Sequence, residues 1–302
     1  MIRGLLRSIP AAWGKGEAFW FRPVDARVYA LFRMAFALVA LVNVVELWPH
    51  RHALLSDEGL IGRPDLSGRP ILSLPELSAL QIDGVMVLAA LSALWLASGV
   101  RARPAAALLF VWHFAYTAMA YPAMHGWDIL LRILSFIVLI SPLGPSWREW
   151  PGGRRAGAVA RVSRHGLVLA QIQLAVLYWQ TVWLKAPDPY WRNGEFFSHF
   201  MLSIYSRFPS PAWAGADLVS AGLTYLTLAF EAAIPLLLWR KDTRWAGIAA
   251  GVLLHGAITV TSHILLFSLA VLVPYIAFLD GSDLDRIGAR LRKWREGDKL
   301  AS

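Results

Sequence analysis

The chain has no cysteine and few charges: only 16% of its 302 residues are Asp, Glu, Lys or Arg, where soluble globular domains carry about 25%. The missing cysteines exclude disulfides, thiolate metal sites, thioether-linked haem and a cysteine nucleophile. The shortage of charge argues against a water-soluble enzyme core. No Walker loop, dinucleotide-binding glycine pattern or nucleophile elbow stands in the context that would give it meaning, which argues against nucleotide and serine-hydrolase chemistry. What is abundant is apolar surface, since 57% of the residues are hydrophobic and fifteen are Trp. Basic residues outnumber acidic ones 29 to 20, a net charge of +9. At this hydrophobic content such a surplus points to a membrane surface, and no nucleic acid partner is expected.

A membrane helix needs roughly 20 mostly apolar residues, because lipid cannot satisfy backbone polar groups. Eight stretches qualify: Val28 to Pro49, Gly84 to Val100, Ala105 to Pro122, Ile129 to Pro142, His165 to Leu184, Asp217 to Trp239, Trp245 to Ser262 and Ile264 to Leu279. His263 alone separates the last two, so a re-entrant pair or a broken helix keeps seven or nine spans open. With both ends in the cytoplasm, 21 of the 29 basic residues fall inside, six fall outside, and Arg33 and Arg132 lie within spans. The positive-inside rule therefore favours an inner (plasma) membrane protein with eight spans.

The expected fold class is all-α, a polytopic membrane bundle with amphipathic interfacial helices at both ends. Ile2, Leu5, Leu6, Ile9 and Trp13 recur at helical spacing among basic residues, as do Leu284, Ile287, Leu291 and Trp294. The organisation reads as an interfacial segment over 1–27, a transmembrane domain over 28–280 and a basic amphipathic tail over 281–302. No cleavable signal peptide is read in the first 27 residues.

The order of motifs resembles a known family. Arg-Pro-Val-Asp at 22–25, Leu-Phe-Arg-Met at 31–34, His-Gly-Trp-Asp-Ile-Leu-Leu-Arg at 125–132 and Pro-Leu-Gly at 142–144 match its first half. The run from Gln171 to Lys185, Trp-Arg-Asn-Gly at 191–194, Glu231 in an apolar span and His255 ahead of Phe267 match its second. The chain thus resembles the HTTM (horizontally transferred transmembrane domain) family over about residues 20 to 280, a family that includes the membrane part of vitamin K-dependent gamma-carboxylase. The resemblance implies possible carboxylase-like chemistry with a reduced quinone as cofactor. There a lysine is base towards the quinol, which reacts with oxygen to give an epoxide. The strong base so generated deprotonates glutamate, and the carbanion takes up carbon dioxide. Lys185 matches the lysine, although the family's enzyme has two adjacent lysines where this chain has Leu184-Lys185. The carboxylase's further domain for its protein substrate has no counterpart in this sequence, which ends about 20 residues after the last span.

Polar residues inside the spans each need a partner or a purpose, because a charge at the bilayer centre costs roughly 2.5–3.5 kcal/mol on insertion scales. Similar depth predicts that Arg33 and Glu231 form a buried ion pair or share a polar network, fixing helix packing. Asp128 and Arg132, four apart, read either as a local salt bridge or as substrate-binding groups with His125 and Trp191. Lys185 and His255 are the candidate catalytic residues. As a base, Lys185 must be desolvated enough to lose its proton, for which Trp183, Tyr190 and Trp191 offer an apolar wall; otherwise it snorkels to headgroups. No His/carboxylate cluster has metal-ligand spacing, and no metal is expected. The competing class is a transporter, or a membrane subunit assembling with a separate partner protein; a peptide substrate, lipid and quinone are the other expected partners.

Overall fold

A computed structural model describes residues 16–60, 76–146, 149 and 160–298. Ile2, Leu5, Leu6, Ile9 and Trp13 lie outside the described residues, as do the side chains of Leu291 and Trp294. The protein is nearly all helical. In chain order come strand β1 (Pro23–Asp25), α1 (Ala26–Leu47), α2 (Arg51–Leu55), α3 (Ala79–Ser98), α4 (Arg103–Met119), α5 (Gly126–Ile140), strand β2 (Arg161–Ser163), α6 (His165–Lys185), α7 (Pro189–Arg192), α8 (Phe196–Leu202), α9 (Asp217–Trp239), α10 (Arg244–Thr261), α11 (Leu265–Leu272) and α12 (Gly281–Asp298). The tail is helical over Gly281–Asp298.

Four of these segments are long and apolar enough to cross a membrane: Ala26–Leu55, Ala79–Ser98, His165–Lys185 and Asp217–Trp239. A fifth arises if Leu265–Phe278 and Gly281–Arg290, bent by 111°, count as one span. The other three expected spans, including that from Trp245 to Ser262, are helical but do not qualify: α4 has 17 residues, α5 has 15 and α10 has 18, lengths of about 22–27 Å at 1.5 Å per residue, against a hydrocarbon core of about 30 Å.

Local chemistry sets the helix ends. Asp25 caps α1, its Oδ1 accepting the Arg27 N–H at 2.8 Å. Ser78 and Gln81 form a capping box at the start of α3, and Gly99 closes that helix in the left-handed conformation.

The chain divides into two compact units. The first comprises Met1–Pro122, Arg132–Ala170 and Leu279–Ser302. In it α1, α3 and α4 pack through Tyr29, Phe32, Phe36, Met86, Leu96, Leu109 and Tyr116, all fully buried. Strands β1 and β2 pair antiparallel, Val24 opposite Val162. The Tyr29 hydroxyl donates to the Ser163 carbonyl at 2.9 Å and accepts the Leu167 N–H at 3.2 Å. Arg27 bridges Asp25 and Asp285, each at 2.7 Å, which ties the tail helix to the start of α1.

Arg33 is 1% exposed in this unit, and carbonyls surround it. Its guanidinium donates to Leu143, to Gly144 at 3.4 Å and to Pro145 at 3.1 Å. These carbonyls follow the end of α5, where helix termination leaves acceptors unsatisfied. Arg103 serves the same end, donating to Leu139 and to Ser141 at 2.9 Å. The close approach needs Gly144, at φ +67°, because a Cβ there would overlap the backbone of Ala26 and Ala30. Asp25→Ala removes the cap and an ion-pair partner together. It is expected to cost about 1–2 kcal/mol, read as a lower unfolding midpoint with unchanged helical circular dichroism.

The second unit comprises Ala123–Leu131 and Gln171–Phe278. Here α9 packs along α10, α10 on α11, and α8 on α9. Asp188 caps α7 by accepting the Tyr190 N–H at 3.0 Å and the Trp191 N–H at 3.3 Å. Gln171 in α6 donates to the Ala277 carbonyl at 2.7 Å, an interhelical bond of the kind that polar residues make in membrane bundles.

Candidate functional site

The second unit brings a charged pair and a hydrogen-bonded aromatic group to one helix, α6. Lys185 ends that helix, and its Nζ lies 2.6 and 2.8 Å from the two carboxylate oxygens of Glu231 in α9. Glu231 is 8% exposed. Thr181, one turn before Lys185, donates to Glu231 Oε2 at 3.3 Å. Trp191 in α7 covers the ammonium, with Nζ 4.4 Å from its ring centroid, a cation–π contact that keeps water off one side of the charge. Glu231, expected to pair with Arg33, is thus held by Lys185, and the terminal nitrogens of Arg33 donate to backbone carbonyls, while its Nε is buried without a partner among the described residues. The physical reason is that a guanidinium can be neutralised by several oriented carbonyl dipoles, whereas a buried carboxylate needs donors.

Two turns back along α6, Tyr178 is 1% exposed. Its hydroxyl stands 2.8 Å from His255 Nε2 and 2.7 Å from the Tyr275 hydroxyl. His255, in α10, is 2% exposed, and its other nitrogen, Nδ1, is buried without a hydrogen-bond partner among the described residues. Tyr275 reaches in because α10 carries Gly251 opposite it, where a Cβ would overlap the phenol. The Ser268 hydroxyl donates to the His255 carbonyl at 3.1 Å, tying α11 to α10.

The remaining expected residues are distributed. The His125 ring stacks on Trp127 at 4.1 Å, Trp127 meets Phe267 at 6.5 Å, and Phe267 meets His255 at 5.5 Å. His125 therefore connects to His255 through a row of rings. Asp128 is buried, and its Oδ2 accepts the His125 N–H at 2.9 Å, a capping role at the start of α5. Arg132 belongs to the first unit, where its Nη1 donates to Thr117 Oγ1 at 3.4 Å. Among the described residues, no group of three or more His, Cys, Asp or Glu side chains is arranged to hold a metal ion.

Tyr178, Thr181 and Tyr275 escaped the sequence reading. Tyr178 lies seven residues before Lys185, hence on the same helix face, and that spacing could have marked it. Tyr275 sits in the 3-10 stretch Val273–Phe278, where Pro274 interrupts the α-helical phase and no periodicity points to it.

The family model of the HTTM domain matches residues 21–282. The chain belongs to the HTTM family. The HTTM domain is a membrane domain related to gamma-carboxylase, and the match covers both units' helices from α1 to the start of α12. No curated protein and no solved structure matches the chain. Within this HTTM domain, Tyr178→Phe keeps the ring and its packing but removes the hydroxyl that His255 and Tyr275 share. Because it leaves His255 Nε2 and the Tyr275 hydroxyl without this partner, it is expected to cost about 1–3 kcal/mol, read as a lower unfolding midpoint; an unaltered midpoint would mean that the shared hydroxyl carries no stability.

Proposed function

We propose that this HTTM protein carries a membrane-embedded acid–base site, centred on Lys185 and Glu231, that acts on a reduced quinone. The observation carrying this reading is the Lys185 ammonium held by both oxygens of a buried glutamate, with Trp191 over it. Lys185, the residue matching the family's lysine, takes the proton of a quinol hydroxyl. Glu231 orients the amine and accepts a proton from the ammonium as the quinol's proton is taken up, so that the pair relays one proton from the hydroxyl to the carboxylate. Tyr178 and Tyr275 fix the His255 ring, and the unpartnered Nδ1 supplies a hydrogen bond to a second oxygen of the ligand. Trp191 and the row from His125 to Phe267 are flat apolar partners for a ring system.

These residues fit a reduced quinone by their chemistry: a base, a hydrogen-bonding imidazole, phenols and aromatic faces. When bound, the quinol would supply with oxygen the strong base that family resemblance implies, and a peptide carboxylate is the matching acceptor class. Placement follows from charge. Eight helices cross the inner membrane, the short α4 and α5 being accommodated by local thinning of the bilayer. Both termini lie in the cytoplasm, on the side of most Lys and Arg, with the basic terminal segments on the anionic leaflet. The site then opens outward near Lys185.

A photoreactive naphthoquinone tests the assignment without needing turnover. Label is expected on peptides containing Tyr178 to Trp191 or His255 to Tyr275, displaced by excess naphthoquinol. Label confined to other helices, or not displaced, contradicts it.

A further inference from the structure

A loop of the second unit exposes apolar side chains beside the start of a membrane-crossing helix. Between Glu195 and Asp217 the sequence has no acidic residue, one permanent charge, at Arg207, and aromatic residues at 196, 197, 200, 205, 208 and 213. Past α8, Ile204 is 89% exposed and Phe208 55%, with Leu202 and Tyr205 exposed beside them. Large apolar side chains grouped in this way on a surface mark a place that something covers.

The loop is tied down, so these side chains cannot turn inward. Ser206 forms an antiparallel bridge with Ser262, the Arg207 N–H donates to the Thr261 carbonyl and the His263 N–H to the Tyr205 carbonyl, both at 2.9 Å. Arg207 Nε donates to the Ser262 carbonyl at 2.6 Å. The loop is thus fixed to the break between α10 and α11. The N–H groups of Ser203, Tyr205, Ser206 and Phe208 donate to groups of the same segment. Irregular backbone enters a water-poor layer only when its polar groups are satisfied by the protein in this way.

Height comes from α9. That helix is long enough to cross a membrane, and the loop runs into it through Pro211–Gly215, so the loop stands at the boundary where α9 begins. Leu218, in the first turn of α9, is 85% exposed, and Val260, in the last turn of α10, is exposed beside the tie at Thr261. The apolar face of the loop therefore continues the outward faces of two helices of a membrane domain. Arg207 suits the same boundary. Beyond Nε its guanidinium has no partner among the described residues, and a cation among aromatic rings is the usual composition of the headgroup layer.

We propose that the face formed by Leu202, Ile204, Tyr205 and Phe208 docks on the phospholipid leaflet at this end of the bundle, its side chains lying at the headgroup–acyl boundary. Phospholipid fits better than a protein partner because the patch stands at boundary height, continues lipid-facing helix surface and carries no acidic group to repel phosphate. A segment outside every apolar span of the sequence is thereby part of the membrane-bound surface. The inference does not depend on the quinol reading.

The absence of native cysteine makes single-site labelling unambiguous. Ile204→Cys and Phe208→Cys each carry a nitroxide in the full-length protein, held in phosphatidylcholine nanodiscs. Collisions are measured with oxygen, which partitions into lipid, and with a nickel chelate, which stays in water. Asp242→Cys, in the exposed turn after α9, is the water reference, and Val252→Cys, exposed in the middle of α10, is the lipid reference. The oxygen-to-nickel ratio at 204 and 208 is expected to exceed that at 242 several-fold, corresponding to a depth of about 5–10 Å into the headgroup–acyl boundary. Both side chains are exposed, so labelling displaces no packed group, and position 208 is an independent second reading should the label at 204 perturb the fold. A ratio no higher than that at 242 in a folded variant overturns the proposal. So does exclusion of both reagents with spin–spin broadening, which would put a second copy of the chain on the patch.

Discussion

Glu231→Ala is expected to destabilise the protein by about 3–5 kcal/mol, because it strands the Lys185 ammonium without a counter-charge in a water-poor site. The loss of one partner costs more than the pair is worth. The Lys185 side chain is 23% exposed and that of Glu231 10%, so neither can recruit bulk water fully when the other is removed. The cation–π contact with Trp191 offsets little of this, being worth about 0.5–2 kcal/mol. The double variant Lys185→Ala/Glu231→Ala, which removes both charges, should recover at least half of the single-variant loss. Denaturant unfolding of the four proteins in mixed micelles, read as a double-mutant cycle, measures the coupling. Additive single effects would mean that the two side chains do not act as a pair.

Lys185→Ala is expected to reduce turnover of a quinol by about 10²–10⁴-fold, the usual contribution of a positioned acid–base group. Stability alone would not account for such a loss. Lys185→Ala leaves the Thr181 hydroxyl donating to Glu231, so its unfolding midpoint should fall less than that of Glu231→Ala. Glu231→Gln separates the roles further. It keeps a hydrogen-bond acceptor for Lys185 but removes the acceptor for the lysine's proton, and should therefore lower kcat more than it raises KM. If Lys185→Ala binds the photoreactive quinone normally and turns over at the wild-type rate, the lysine is an anchor and not a base.

The helical character was legible in the sequence, because apolar run length acts locally; the start of α3 was not, since the apolar run begins at Gly84 whereas the capping box at Ser78 starts the helix at Ala79. Lys185, Trp191 and His255 were legible as candidates through the family resemblance and their place on the helices. The partner of Glu231 was not. Depth along a helix gives two residues the same height without saying which way each helix faces, so Arg33 and Lys185 were indistinguishable as partners on that ground. What separates them is the loop after α5: helix termination at Ile140 and the prolines at 142 and 145 leave carbonyls that draw Arg33 and Arg103. Tyr275 was hidden for a related reason, since a residue in a 3-10 stretch has no α-helical phase to read.

The most direct measurement is epoxide formation from a reduced naphthoquinone and oxygen by the purified protein in lipid, with Lys185→Ala beside wild type. One atom of O₂ ends in the epoxide and the other in water, so isotopically labelled oxygen distinguishes this reaction from simple oxidation to the quinone. Labelled epoxide from wild type, and at least 10²-fold less from Lys185→Ala, is the predicted result. No labelled epoxide from folded wild-type protein that binds the naphthoquinol would contradict the account.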